Sequence, residues 1–230
     1  MEYLEGRVFK DSALPDDTPE DRKKIYSDMI RVLASLHTID YEAIGLSDYG
    51  KPGNYFVRQT GRWTKQYLAA QTHEIASMDN LIRWLPENVP NDETTSIVHG
   101  DYQLYNMMYH PKEPRCIAVL DWELSTLGNP LADLAYNCMK YHDQIDGQTF
   151  SAGSGIPSES EVVEEYCRLT GRKEIENWNF CLAFSFFRLA SVIQGVYKRG
   201  LQGNASSSTA LEMKDRIAVT ADTAWRIANR

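Results

Sequence analysis

His99-Gly100-Asp101-Tyr102-Gln103-Leu104-Tyr105-Asn106, followed fifteen residues later by Asp121-Trp122-Glu123, decides how this 230-residue chain is read. The stretch sets an acid, a carboxamide and a second acid in the order used to move a phosphoryl group. Asp101 can accept a proton from an attacking hydroxyl, while Asn106 and Asp121 can offer Mg2+ the oxygen ligands it demands against a nucleotide's phosphates. Glu123 lies two residues past Asp121, so in an extended stretch both carboxylates face one side. It joins Asn106 and Asp121 as a candidate ligand, directly or through water. Taken singly, each of these residues is more simply a turn cap. Their order, the four-residue gap and the following Asp-x-Glu carry the reading together.

Working outward, Ser96-Ile97-Val98, Asn106 to Tyr109 and Cys116 to Leu120 are short strand-like runs, which puts the chemistry on the loops between them. Upstream, Pro15-Asp16-Asp17-Thr18-Pro19 is a turn. Thr18 is placed to cap a helix, Pro19 to be its first residue and Asp21 to add negative charge to its first turn. Apolar residues at Ile25, Met29, Ile30, Val32, Leu33 and Leu36 continue the helix to His37. His37 reads as a hydrogen-bonded helix-end residue rather than a metal ligand.

The patterning predicts further helices over about 54–70, 79–85, 162–169, 178–197 and 209–227, with Gly171 and Gly200 as stops. Loops are expected at 147–160 and 203–208. Phe184, Phe186 and Phe187 read as core. Arg58, Arg62 and Lys65 form a basic face that suits either a solvated surface or a wall for an anionic acceptor. Arg188 and Tyr197-Lys198-Arg199 admit the same two readings.

Hydrophobic residues at 43% and aromatics at 11% suit a globular core. A net charge of −8 argues against nucleic acid as a partner, which needs a positive surface. It leaves room for an anionic nucleotide in a cleft where Mg2+ and a few cations reverse the local field. No apolar run reaches bilayer-crossing length, and the acidic N-terminus with Glu2 and Glu5 lacks a signal-peptide layout. The expectation is a cytoplasmic protein without a membrane partner, or an organellar one if it belongs to a larger fusion. Cys116, Cys138, Cys167 and Cys181 have no C-x-x-C spacing, so they are expected reduced and mostly buried. The signatures G-x-x-x-x-G-K-[ST], G-x-S-x-G and H-E-x-x-H are absent.

Gly100 stands where protein kinases carry Arg in H-R-D-x-x-x-x-N, and Asp-Trp-Glu stands where they carry Asp-Phe-Gly. With Asn129-Pro130-Leu131-Ala132-Asp133-Leu134-Ala135 downstream, the chain resembles the aminoglycoside phosphotransferase and choline kinase-like family. Met1 to Phe9, Arg62-Trp63-Thr64-Lys65-Gln66-Tyr67 and Leu120 to Gly128 are similar to the kinase-like domain fused to some acyl-CoA dehydrogenases and to its bacterial stand-alone relatives. The resemblance covers nearly the whole chain.

It implies an α+β fold: a protein-kinase-like C-terminal lobe, mainly helical, with a short-stranded catalytic loop region. It further implies Asp101 as base, Asn106, Asp121 and Glu123 at the metal, and His99 and Asp133 as structural supports. The donor implied is ATP or GTP with Mg2+. The nucleotide's base would dock on a hinge in residues 1–10, at Glu2 and Leu4. The implied acceptor is a small-molecule hydroxyl, a hydroxyacyl-CoA before an aminoglycoside. Gln103 and Tyr105 depart from the close relatives' H-G-D-[FY]-R-L-D-N and change the loop's local charge.

Complete members of the family carry an N-terminal lobe with a phosphate-covering loop and a strand lysine. Only 100 residues precede Asp101 here, and Lys10 follows the hinge. Residues 1–230 are therefore expected to be the C-terminal lobe with the N-terminal lobe missing, weak in catalysis alone, with an exposed lobe interface through which a homodimer would form. The alternative is a catalytically inactive lobe acting as a binding module.

Overall fold

Thr18 opens the first long helix by accepting the Asp21 amide on its side chain at 3.2 Å, with Pro19 at the first helical position. The computed structural model describes residues 3–142, 153–205 and 209–230. In chain order its elements are β1 (Arg7–Val8), α1 (Pro19–His37), α2 (Tyr55–Ala70), α3 (Ala76–Glu87), β2 (Ser96–Val98), β3 (Met107–Tyr109), β4 (Cys116–Val119) and β5 (Thr126–Gly128). There follow α4 (Leu131–Cys138), α5 (Glu159–Thr170), α6 (Trp178–Leu201) and α7 (Lys214–Ala228). Short 3-10 turns occupy Leu104–Asn106, Trp122–Leu124, Met139–Tyr141 and Ala210–Met213. With 55% of the described residues helical and few strands, the fold is α+β and mainly helical.

Two compact units divide the chain. The first comprises Met1–Gly53, Thr94–Tyr141 and Gln148–Ile175. It holds two small antiparallel sheets, one ordered β1-β3-β4 and one pairing β2 with β5. Helix α1 buries Ile25, Tyr26, Met29, Ile30 and Leu33 against α5, β2 and β4. Each such side chain removed from water contributes roughly 1.5–3 kcal/mol. Buried Tyr102 and Tyr109 donate from their hydroxyls to the carbonyls of Met29 (2.7 Å) and Ile25 (3.0 Å), fastening the β2–β3 segment to α1.

The second unit comprises Asn54–Glu93, His142–Gly147 and Glu176–Arg230. Here α6 packs on α7 and α2, and Phe56 meets Phe180 and Phe184 edge-on at 5.2 Å each. Phe184, Phe186 and Phe187 are buried as expected.

Several expectations need correction. Helix α6 is in fact long and apolar enough to span a membrane by length and composition. However, 83% of its apolar window is buried within the structure, as suits a core helix. Gly200 does not stop it: the helix runs to Leu201, and the positive-φ glycine is Gly203. Gly200 instead admits Ala210, whose Cβ would lie 2.9 Å from a Cβ added at Gly200. Gly171, by contrast, ends α5 in the left-handed conformation at φ 73°.

The loop expected at 147–160 ends earlier, because Ser158 and Glu161 form a capping box for α5. Residues 147–152 and 206–208 of the two expected loops lie outside the described residues. Neither α4 nor the two- and three-residue strands β1 and β5 were anticipated. They are too short to display a period.

Candidate active site

The loop after β2 is built around a backbone that only glycine fits. Gly100 has φ +84°, and a Cβ there would come within 2.7 Å of the Leu124 carbonyl oxygen. Immediately before it, buried His99 donates from Nε2 to the Leu120 carbonyl at 2.8 Å. Its Nδ1 accepts the Asp101 amide at 3.2 Å. These two partners specify the neutral ring with its proton on Nε2. The His99 ring also lies against Trp122 at 4.9 Å.

Asp101 is half-buried at the end of this turn. Asn106 Nδ2 donates both to the Asp101 carbonyl (2.9 Å) and to its Oδ2 (2.9 Å). The amide's donor end is thereby spent within the loop, and its Oδ1 is left to meet a ligand. The Leu120 amide donates to the Asn106 carbonyl at 2.8 Å, extending the β3–β4 pairing in which Met107 faces Val119. One hairpin thus carries Asn106 at the head of β3 and Asp121 just past the end of β4.

Asp121 is exposed and left-handed, at φ 62° and ψ 63°. A non-glycine residue held there stores roughly 1–3 kcal/mol, a cost that clusters at functional sites. The chain then tightens into the 3-10 turn Trp122–Leu124, pinned by Trp122 Nε1 donating to the Val119 carbonyl at 2.8 Å. This corrects the extended stretch expected there. Glu123 lies inside a turn, so two-residue alternation does not align it with Asp121.

Beneath the loop sits Asp133, on α4 and 1% exposed. Its Oδ2 accepts the His99 amide at 2.6 Å and its Oδ1 the Gly100 amide at 2.8 Å. His37, at the end of α1, donates from Nε2 to Oδ2 at 3.3 Å, and its Nδ1 meets the Tyr166 hydroxyl of α5 at 2.8 Å. Burial by itself pushes the Asp133 carboxyl up. The His37 hydrogen bond and charge, with the two amide donors, outweigh it and hold the carboxyl below its usual range.

The structure therefore brings His99, Asp101, Asn106 and Asp133 into one hydrogen-bonded network, with Asp121 joined to it through the hairpin. Leu4 is 38% exposed and outside regular structure, and Glu2 lies outside the described residues. In the sequence His37 reads only as a satisfied histidine and Tyr105 only as a departure from the family pattern. The tie of His37 to Asp133 spans 96 positions and leaves no local signal. Arg58, Arg62, Lys65, Arg188 and Lys198 all belong to the second unit. There Arg62 and Arg188 flank the Trp63 ring at 5.6 and 5.4 Å, and Lys198 Nζ donates to the Ala69 carbonyl at 2.6 Å.

Among the described residues no three His, Cys, Asp or Glu side chains gather as a metal cluster. The donors that the hairpin presents are an amide oxygen and a carboxylate, both hard oxygens. That set fits Mg2+, which takes one or two protein ligands and keeps its waters.

The sequence profile described as "Phosphotransferase enzyme family" matches residues 1–166. Acyl-CoA dehydrogenase family member 10 of Mus musculus is 44% identical over 237 residues, covering 100% of this chain and 22% of that protein. The chain spans between a fifth and a third of the length of the curated relatives it matches. The crystal structure of a candidate aminoglycoside phosphotransferase from Ralstonia eutropha JMP134 superimposes with a TM-score of 0.95 at 50% identity, covering 100% of this chain and 72% of that one. An aminoglycoside phosphotransferase solved as a ternary complex with AMP-PNP and hygromycin B shares the fold. Its TM-score is 0.62 at 15% identity, over 97% of this chain and 70% of that one.

Proposed function

The chain belongs to the phosphotransferase enzyme family of aminoglycoside phosphotransferase type, and from that premise we propose that it moves the γ-phosphoryl group of ATP or GTP to a small-molecule hydroxyl. The observation that carries the reading is the network in which Asn106 holds the Asp101 carboxylate while the β3–β4 hairpin presents Asp121 beside Asn106. In a loose transition state the acceptor needs orientation more than early deprotonation. Asp101 orients the acceptor hydroxyl and takes its proton late. His99 and Asp133 are the supports: they hold the loop backbone at Gly100 and Asp101 so that this carboxylate keeps one direction.

Asn106 Oδ1 and Asp121 would hold Mg2+, with Glu123 as a further candidate through water. Bound there, the ion would neutralise charge on the β- and γ-phosphate oxygens. Nucleotide use is supported by the AMP-PNP bound in the aminoglycoside phosphotransferase of the same fold. Leu4 and Glu2 remain the hinge candidates for the nucleotide's base.

The acceptor we favour is a hydroxyacyl-CoA, because curated relatives over the full length of this chain are acyl-CoA dehydrogenase family proteins. The test is mass-spectrometric detection of phosphorylated product from 4-hydroxyacyl-CoA, choline and aminoglycosides with Mg2+ and ATP or GTP. Asp101→Ala should abolish product while nucleotide binding persists, and Asp121→Ala should weaken Mg2+-dependent nucleotide binding in calorimetry. Equal product from wild type and Asp101→Ala would sink the assignment.

A further inference from the structure

Tyr105 stands against Asp101 in an arrangement that phosphoryl transfer alone leaves unused. The 3-10 turn Leu104–Asn106 buries Leu104 and Asn106 and leaves Tyr105 outward, 43% exposed. From that side its hydroxyl donates across the Asp101 carboxylate, 3.3 Å from Oδ1 and 3.4 Å from Oδ2. Oδ2 is already engaged from within the loop by Asn106 Nδ2 at 2.9 Å. The phenol therefore takes up acceptor capacity on the exposed side of the carboxylate, where a substrate hydroxyl must arrive.

We propose that Tyr105 is an acceptor gate, a positioning residue whose hydroxyl occupies Asp101 until the acceptor's hydroxyl displaces it, so that water is kept from serving as the acceptor. The inference rests on the phosphotransfer reading and adds to it a means of suppressing wasteful nucleotide hydrolysis. In the productive step the acceptor's O–H proton passes to an Asp101 oxygen. The acceptor oxygen bonds to the γ-phosphorus, and the bond from that phosphorus to the nucleoside diphosphate oxygen breaks. With water in the acceptor's place the same step releases inorganic phosphate.

The two Tyr105 contacts are long for O–H···O bonds, whose separations cluster near 2.7–2.8 Å. A bound acceptor can replace them with one short charge-assisted bond and so displace the phenol. A lone water, not anchored by any other binding contact, must compete with a phenol tethered by the chain only four residues from Asp101, and it loses that competition on effective concentration.

The test compares acceptor-free phosphate release from Mg2+–ATP and Mg2+–GTP in wild type, Tyr105→Phe, Asp101→Asn and the double variant. Alongside it, the 13Cγ resonance of Asp101 is recorded in aspartate-labelled protein and assigned by its loss in Asp101→Asn. Phe keeps the ring and removes only the hydroxyl. Tyr105→Phe should raise release about three- to tenfold, the factor one ordinary hydrogen bond is worth. The gain should vanish in the Asp101→Asn background, and the Asp101 resonance should move in Tyr105→Phe.

Unchanged or lower release in Tyr105→Phe, release undetectable in both proteins, or an unmoved resonance overturns the gate. The phosphotransfer reading is judged separately, by Asp101→Ala with acceptor present. Release that ignores Asp101→Asn counts against that reading rather than against Tyr105 alone.

Discussion

Replacing Asp133 by Asn keeps the shape of the side chain and removes half of its acceptor capacity. Three donors converge on this carboxylate in a fully buried site: the amides of His99 (2.6 Å) and Gly100 (2.8 Å) and the imidazole of His37 (3.3 Å). An Asn oxygen placed at the Gly100 side still serves that amide. Its NH2 then faces the His99 and His37 donors, and two buried groups lose their acceptor. At roughly 1–3 kcal/mol for each orphaned group, less local relaxation, the variant should lose about 2–4 kcal/mol. That is a large fraction of the roughly 5–15 kcal/mol that separates folded from unfolded protein.

The loss should also carry a pH signature. The folded-state carboxyl of Asp133 lies below its unfolded value, so its stabilisation is present above the unfolded value and disappears as pH falls through the folded one. Urea midpoints of wild type and Asp133→Asn, measured from pH 8 downward, should stay apart by a constant amount and converge only below about pH 4. Amide hydrogen exchange in peptides covering the His99–Gly100 turn should accelerate in the variant. A stability difference below about 0.5 kcal/mol at pH 7, or a gap that closes between pH 6 and 8, would refute the reasoning.

Gly100→Ala should cost about 2–4 kcal/mol, combining a left-handed residue with a Cβ only 2.7 Å from the Leu124 carbonyl. Gly171→Ala, left-handed at φ 73° with nothing within 4 Å among the described residues, should lose only about 1 kcal/mol, and equal losses in urea unfolding would discount the contact. Burial pushes the Cys116 thiol from 9.0 to about 11 and the Cys138 thiol to about 12, and the Cys167 thiol is raised as well. Access decides the order here: Cys116, the least buried of the four, should be the first thiol of the folded chain labelled by iodoacetamide, although burial raises its pKa. Its rate at pH 8 should be about a hundredfold below that of a free thiol and should climb toward pH 11. Simultaneous labelling of two or more cysteines at pH 8 would contradict this.

The parts of the site legible in the chain are those encoded by neighbours in sequence. The order of Asp101, Asn106 and Asp121 marks them as candidates because hydrogen bonding within one loop and one hairpin needs residues a few positions apart. Thr18 and Pro19 announce α1 for the same reason: a cap acts within a single turn. Two-residue alternation aligns Glu123 with Asp121 only in a strand, and nothing in Asp-Trp-Glu declares that Asp121 turns left-handed. Gly200 reads as a stop because a glycine admits either a left-handed cap or a close neighbour, and only the position of Ala210 selects the second.

By itself, then, the sequence determined the class of fold, the family and the identity of the candidate acid, amide and second acid, because these rest on local spacing and residue chemistry. The tertiary structure alone decided that His37 buttresses the loop through Asp133, that Gly100 yields its Cβ space to Leu124, and that Tyr105 leans on Asp101. The first two depend on chain segments 20 or more residues apart being folded onto one another, and no pattern of neighbours records that. The third needs only four residues, but it depends on the 3-10 turn that swings one side chain outward and leaves its neighbours buried.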